Sequence, residues 1–146
     1  MHSIKRSLGV IGTIVALMAL APVASAGSRQ SFHLDKTCAD DVSEPLGYIC
    51  TVQHSDFKWI PAGTDIRYLD QNEDGSVVQA RIEIENGSTD GTCTWNTSTW
   101  VDAICVFSSG TGRLTQFNLE VVVTASDANN DDQTIWYWDG TYSYGH

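Results

Sequence analysis

The sequence is poor in positive charge. Its 8 Lys and Arg residues stand against 18 Asp and Glu residues, which gives a formal charge of −10 at neutral pH. Nucleic acids bind proteins largely through cationic side chains that displace counterions from the phosphates. Anionic lipid surfaces attract basic segments for the same electrostatic reason. The charge balance therefore argues against nucleic acid and against an anionic membrane surface as partners.

The sequence also lacks a helical repeat of apolar residues after position 26. Apolar residues alternate with polar ones instead, as in the run from Val78 to Glu85, where every second side chain is apolar. Residues 117–123 alternate in the same way. A period of two is typical of strands with one buried and one solvated face. The pattern predicts an all-β protein.

Turn residues divide the chain into short strands. The predicted strands are 31–35, 47–53, 64–69, 78–85, 92–97, 101–108, 117–123 and 133–138, with a short one at 141–144. The predicted turns are Asp74-Gly75, Asn86-Gly87, Asp90-Gly91, Asp139-Gly140 and the break at 61–63. We expect an antiparallel meander of about eight strands closed into a small barrel, because closure removes the sheet edges. A two-layer sandwich is the structural alternative.

Residues 1–26 have the layout of a secretory signal peptide. Lys5 and Arg6 precede an apolar run that starts at Leu8 and ends at Leu20, and small residues follow at 24–26. The run is short for a spanning helix, which needs about 20 apolar residues. We expect cleavage after Ala26, a secreted protein, and one domain over 27–146 that keeps no membrane segment. Without the two leader cations, six basic residues remain and the formal charge becomes −12.

The four cysteines are not spaced as metal ligands. No C-x-x-C pair is present and the histidines are scattered, so we expect no metal. In an oxidising compartment the cysteines can form disulfides. Four cysteines allow three pairings. We favour Cys38 with Cys50 and Cys93 with Cys105, because the second pair flanks a probable hairpin and each closed loop is short.

Common catalytic motifs are missing as well. The chain has no Gly-x-Ser-x-Gly nucleophile elbow, and no Lys-Ser/Thr follows its glycines as in a phosphate loop. His33 has no role beyond its strand, whereas His54 and Asp56 lie on one strand face without a nucleophile beside them. Glu83 and Glu85 share a wet strand face, whereas a glycosidase needs its two acids across a cleft. We predict no cofactor, and whether the protein is an enzyme stays open.

One turn resembles the first half of a calcium loop. Asp70, Asn72 and Asp74 place oxygen donors at alternate positions before a glycine, which suits a hard cation. The closing acid of such a loop is replaced by Arg81. Asp, Asn and Gly are also the ordinary residues of hairpin turns, and we expect a solvated turn here. A similar spacing occurs at 127–131.

Aromatic residues are concentrated at the C-terminal end, in 136–144. Trp136 and Trp138 share one strand face, so inside a barrel they would line a cavity for a flat apolar ligand. Ordinary core packing is the alternative. Arg113, a rare cation in this acidic chain, is a candidate for holding an anionic group or polarising a carbonyl at the barrel mouth. An ion pair with a nearby acid is the alternative that we favour. The predicted ligand-binding residues are Trp136, Trp138, Tyr142 and Arg113.

The segment Gly110-Thr111-Gly112-Arg113, which precedes the strand at 117–123, resembles the late-strand motif of dirigent proteins and allene oxide cyclases. The resemblance covers about a tenth of the mature chain. It implies an eight-stranded, calycin-like barrel and a cyclisation or isomerisation without a cofactor. The dirigent motif continues into a second glycine-rich stretch, whereas this chain has Leu114 to Phe117 there. On the residues alone, 110–112 is a tight turn.

These observations support two functional hypotheses. The first is a secreted barrel that binds a small apolar molecule in its lumen and controls its conformation by enclosing it. The second is an extracellular module that binds a glycan or mediates adhesion through exposed Trp and Tyr side chains. The orientation of Trp136 and Trp138 discriminates between them, since the first hypothesis needs both to face a closed lumen.

Overall fold

The computed structural model describes residues 27–126 and 134–145. The predicted leader and the polar stretch at 127–131 lie outside the described residues, so their assignments stay predictions. Among the described residues, the longest helix is a single 3-10 turn, Gly112–Leu114, and no helix is long and apolar enough to cross a membrane.

Eight antiparallel strands form a closed barrel in which each strand pairs with the next in sequence and the last pairs with the first. The strands are β1 Gln30–Asp40, β2 Tyr48–Ser55, β3 Asp65–Gln71, β4 Val77–Ile84, β5 Gly87–Trp95, β6 Asp102–Ser108, β7 Phe117–Ala125 and β8 Ile135–Tyr144. The barrel predicted from the alternation is confirmed.

Alternation places one face of each strand in the interior. On β7, Phe117, Leu119, Val121 and Val123 are buried, and the residues between them are exposed. The inward residues of all eight strands form one continuous apolar core. Burial of this apolar surface is the main force that holds the cylinder together, because each inward side chain leaves water when the sheet closes.

Two dipeptides that were predicted to be turns lie inside strands. Asp90-Gly91 lies within β5, and Asp139-Gly140 lies within β8, where it joins the two predicted C-terminal strands into one. Both glycines allow a close approach. A Cβ on Gly91 would lie 2.4 Å from the Phe107 ring, and one on Gly140 would lie 2.0 Å from the Glu120 carbonyl oxygen.

The predicted disulfide pairing is confirmed. Cys38 on β1 is bonded to Cys50 on β2, and Cys93 on β5 is bonded to Cys105 on β6. Each pair consists of directly opposite residues on neighbouring strands. The sulfurs face the barrel interior, so the two bridges tie the wall on two sides of the lumen.

The segment Gly110–Arg113 joins the connection between β6 and β7 to the turn between β4 and β5 and to the start of β5. The Thr111 amide donates to the Ser88 carbonyl at 2.7 Å, and the Arg113 amide donates to the Asn86 carbonyl at 2.8 Å. Gly112 has φ +56°, and a Cβ there would lie 1.9 Å from the Asn86 carbonyl oxygen. Glycine is therefore required at 112 both for backbone conformation and for space.

The two ends of the barrel are filled differently. At one end, which we call the plugged end, aromatic side chains from strands and from the 56–64 loop fill the lumen. They are Phe32, Phe57, Phe117, Tyr142 and Tyr144. At the other end, which we call the disulfide end, the inward residues include the four cysteines and Ala103, and a cavity remains.

Candidate ligand-binding site

A cavity of about 290 Å³ occupies the lumen at the disulfide end. Its residues are Lys36, Cys38, Ala39, Asp40, Tyr48, Cys50, Tyr68, Cys93, Trp95, Ala103, Cys105, Val123 and Trp136. Ala39 and Asp40 are exposed at the end of β1, so the cavity reaches solvent there. The volume lies at the lower limit of sites that hold small organic molecules.

The cavity remains because small side chains occupy inward positions where the plugged end has phenylalanine. Ala103 and Cys105 face inward at the start of β6, whereas Phe107 occupies the next inward position along the same strand. Cys93 faces them from β5. Side chains of this size are too small to meet across the lumen of an eight-stranded barrel, so they leave a space that larger side chains would fill.

Lys36 places a buried amine beside this cavity. It follows Phe32 and Leu34 in the inward phase of β1, and its side chain is 2% exposed. The Nζ atom donates to the Tyr68 hydroxyl at 2.8 Å and lies 3.2 Å from the Sγ of Cys50. No carboxylate of the described residues lies within 4.0 Å of this nitrogen.

Burial changes the acid–base chemistry of this pair. Loss of hydration disfavours the ammonium form and lowers the pKa of Lys36 from 10.5 to about 7. The same burial raises the pKa of Tyr68, which keeps its phenol proton. The site therefore contains an amine that gains and loses its proton near neutral pH, next to a neutral phenol.

Aromatic rings surround the amine. Nζ of Lys36 lies 5.2 Å from the centre of the Tyr68 ring, 5.9 Å from that of Trp136 and 5.3 Å from that of Trp138. These distances are within the range of cation–π attraction, which partly replaces the lost hydration of the ammonium form. Trp95 packs edge-on against Trp136 at 5.6 Å and extends the aromatic wall towards the rim.

Two of the four predicted ligand-binding residues lie at this end of the barrel. Trp136 lines the cavity. Trp138 is the next inward residue on β8 and is fully buried against Phe107, with its ring centre 5.5 Å from that of Phe107. Both tryptophans thus face the interior, and Tyr137 between them lies on the outer face against His33.

The other two predicted residues lie at the plugged end. Tyr142 packs 4.6 Å from Phe57, and its hydroxyl donates to the Gln30 side chain at 2.6 Å. Arg113 is exposed, and its guanidinium lies 4.6 Å from the centre of the Trp59 ring. The geometry therefore does not bring either residue to the lumen cavity, because the closed aromatic layer lies between.

The calcium-like turn is held by its own side chains. Asp74 accepts hydrogen bonds from the amide and the hydroxyl of Ser76, at 2.9 and 2.6 Å. These bonds lower the pKa of Asp74. The Asn72 side-chain oxygen accepts from the Val77 amide at 2.8 Å. The oxygens that would face a cation thus act as acceptors within the turn, as in ordinary hairpins.

Other acidic candidates form ion pairs or cap backbone groups. Glu83 pairs with Arg67 at 3.2 Å, and Arg67 also makes a two-atom contact with the buried Glu44. Asp56 accepts from the backbone amide of His33 at 2.9 Å and does not pair with His54. None of these contacts arranges two carboxyl groups across a cleft as a glycosidase would.

Lys36 and Tyr68 were not singled out from the sequence. A signal for Lys36 is present, because the inward phase of β1 runs Phe32, Leu34, Lys36 and Cys38, and a charged residue in an apolar phase is unusual. The predicted strand ended at 35, one residue before it. Tyr68 could not be recognised as its partner without the arrangement of strands across the lumen.

No family model, curated protein or solved structure matches the chain. The resemblance of Gly110–Arg113 to dirigent proteins and allene oxide cyclases thus stays a prediction. In this structure, the segment has a mechanical role at the plugged end.

Proposed function

We propose that the protein binds a small, largely apolar carboxylic acid in the lumen cavity, with its carboxylate beside Lys36 and Tyr68 and its apolar part between the aromatic wall and the disulfides. The observation that carries this proposal is a solvent-connected cavity whose one buried cation has no acidic partner among the described residues.

The shape and polarity of the walls support an apolar ligand. Trp95, Trp136 and Val123 supply apolar surface, and the two disulfides supply polarisable sulfur. Small-molecule sites are typically concave and apolar with few polar groups that set orientation. Of the polar side chains that line this cavity, Asp40 and Tyr48 lie at the ends of their strands, towards the rim. The buried Lys36 and Tyr68 lie side by side deeper in the lumen, so the ligand needs one polar end beside them.

The charge of Lys36 supports an acid. A buried ammonium without a counter-ion is costly, because protein replaces its hydration only in part. A ligand carboxylate next to Nζ would form a charge-assisted hydrogen bond and keep the amine protonated. The phenol of Tyr68 can donate its proton to the second carboxylate oxygen, so Lys36 and Tyr68 both have a partner in the complex.

The compartment is part of the same proposal. Two disulfides in one small domain are typical of extracellular proteins. We infer that the leader exports the chain and that the barrel acts outside the cell. A closed barrel with two bridges would keep its ligand protected from water in that environment.

The enzymatic form of the proposal uses the same residues. A cyclase or isomerase of the kind that the family resemblance implies would enclose its substrate in the lumen and polarise an oxygen through Lys36 and Tyr68. The glycan-binding alternative needs a flat exposed aromatic strip. Trp136 and Trp138 face the interior, which favours the lumen ligand.

Binding of two naphthalene probes tests the proposal. We expect 2-naphthoate to quench tryptophan fluorescence saturably and to bind more tightly than the neutral 2-naphthalenemethanol. The Lys36→Met substitution should reduce this preference by about 10-fold or more, because hydrogen bonds to charged groups contribute about 1.5–3 kcal/mol.

A pair of neighbouring substitutions provides the steric control. Ala103→Phe adds a ring to the cavity and should abolish naphthoate binding, whereas Ile104→Phe adds the same ring on the exposed outer face and should leave it unchanged. The proposal would be overturned if neither probe bound saturably, or if Ala103→Phe and Ile104→Phe bound 2-naphthoate equally well.

A further inference from the structure

A second cluster of functional side chains lies on the outer wall of the barrel, across β1 and β2. His33, Asp35 and His54 each offer one ligand atom, and these atoms all lie within 4.8 Å of one another. The two histidines are 21 residues apart in the sequence. Pairing of β1 with β2 brings them together, and sequence spacing alone could not reveal the cluster.

A β-bulge creates this arrangement. The register between β1 and β2 shifts between Asp35 and Lys36, so Asp35 is opposite His54 while Lys36 is opposite Val52. Without the extra residue, His54 would continue the inward phase of Cys50 and Val52. The bulge turns it outward beside Asp35, and bulges commonly redirect a side chain at functional sites.

One acceptor in the cluster has no partner. Asp35 Oδ1 is buried, and it receives no hydrogen bond from the described residues. The Nδ1 atom of His54 lies 3.8 Å from it, which is too long for a hydrogen bond. A buried carboxylate oxygen without a donor is uncommon in folded proteins, and a bound cation would satisfy it.

A carboxylate lies beside one ring nitrogen of His33. The Nδ1 atom is 2.6 Å from Asp139 Oδ1, and in the tautomer that carries its proton on Nδ1 this nitrogen donates to the carboxylate. The lone pair of that tautomer is on Nε2. Histidines that bind metals commonly donate their other ring N–H to a carboxylate in this way. The ring also stacks on Tyr137, which limits its rotation.

We propose that His33, Asp35 and His54 bind one divalent transition-metal ion of the zinc or copper class on the outer wall, while Asp139 holds the His33 ring through a hydrogen bond to Nδ1. Two imidazoles and a carboxylate suit these ions rather than calcium or magnesium, which prefer oxygen ligands alone. Zinc–ligand distances of about 2.0–2.2 Å require the donors to move closer together. The exposed His54 can do so by rotating its side chain, which is 68% exposed.

Metal titration of the untagged protein, first freed of metal with a chelator, tests this site. We expect one equivalent of Zn²⁺ to bind saturably in competition with a chromophoric chelator. Cu²⁺ at the same site should give an electron paramagnetic resonance spectrum with coupling to two imidazole nitrogens. His54→Ala and Asp35→Asn should abolish this binding, and Asp139→Asn should weaken it by about 10-fold or more.

Matched controls separate this site from other donors in the chain. His146→Ala removes the other histidine that follows the leader, and Asp70→Asn removes an acid of the calcium-like turn; both should bind zinc as the unsubstituted protein does. Circular dichroism should remain that of a β-protein in all variants. Absence of saturable zinc binding, or a single equivalent that persists in His54→Ala, would overturn the proposal.

Discussion

The two ends of the barrel differ in how side chains fill the lumen. At the plugged end, Phe57 stacks on Phe117 with ring centres 5.2 Å apart, and Tyr142 lies 4.6 Å from Phe57. At the disulfide end, the cysteines and Ala103 leave about 290 Å³ beside Lys36. One end thus supplies packing, whereas the other keeps a buried cation and a cavity.

The difference places the densest packing at one end and the residues of the proposed binding site at the other. Close-packed aromatic side chains stabilise the folded state by apolar burial and bring no buried charge with them. A buried amine without an acid, and a cavity next to it, both reduce the stability of the folded state. The two disulfides are located at the end that bears these costs, which is where covalent restraint is most useful.

The largest expected effect is at the plugged end. Phe117→Ala should lower the free energy of unfolding by about 3–5 kcal/mol, because Phe117 is fully buried among other rings. Trp95→Ala at the disulfide end should cost less, since Trp95 is half-buried and borders a cavity. Urea denaturation measures both. Equal losses would remove the distinction between the ends.

The second effect concerns the disulfides. Replacement of both Cys93 and Cys105 by alanine should lower the free energy of unfolding by about 2–4 kcal/mol, because the bridge restricts a loop of the unfolded chain. The measurement is denaturant unfolding with the Cys38–Cys50 bridge intact. A loss below about 0.5 kcal/mol would show that the strands at this end need no covalent restraint.

The third effect has the opposite sign. Lys36→Met should raise the free energy of unfolding below pH 7 by about 2–3 kcal/mol. Lowering the pKa of Lys36 from 10.5 to about 7 corresponds to a loss of about 4–5 kcal/mol in the free energy of unfolding. The substitution removes this loss, but it also removes the hydrogen bond to Tyr68, which offsets part of the gain.

The pH dependence follows from proton binding. Between pH 7 and about 10.5, the unfolded chain protonates Lys36 and the folded chain does not, so this residue makes stability rise with pH. Lys36→Met should remove that rise, in urea denaturation at pH 6 and pH 9.5 with chelator present. The exposed Lys58→Met is the control and should keep it. A rise of equal size in Lys36→Met would contradict the role of burial.

The smallest expected effect is that of Arg113, at the plugged end. Arg113→Ala removes a cation over the Trp59 ring and should cost about 0.5–1 kcal/mol. Because this residue lies at the plugged end, naphthoate affinity should not change. Fluorescence titration checks this, and a weakened affinity would place the ligand at the Arg113 end of the barrel.

Strand alternation allowed the fold to be predicted from the sequence. The alternation in the run that starts at Val78 indicates one buried and one solvated face. The hairpin predicted between Cys93 and Cys105 favoured the local disulfide pairing, and the structure has that pairing. Gly91 and Gly140 were misread as turn residues, because a glycine needed for close packing has the same sequence signal as one needed for a turn.

The candidate sites were harder to predict, because they depend on register and on the lumen. The aromatic density of the C-terminal strand predicted that Trp136 faces the lumen, and it lines the cavity. The contact of Lys36 with Tyr68 joins residues 32 positions apart across the interior. The outward orientation of His54 depends on a β-bulge, which no local sequence pattern predicts. Sequence patterns predict which face of a strand is buried, whereas these sites depend on which strands pair and in which register.

The position of bound 2-naphthoate tests the lumen site most directly, and nuclear Overhauser contacts between its ring protons and the protein measure that position. We expect contacts with Trp136, Trp95 and Val123, at the disulfide end of the lumen. Contacts with Trp59 or Arg113, or with the outer wall, would contradict it.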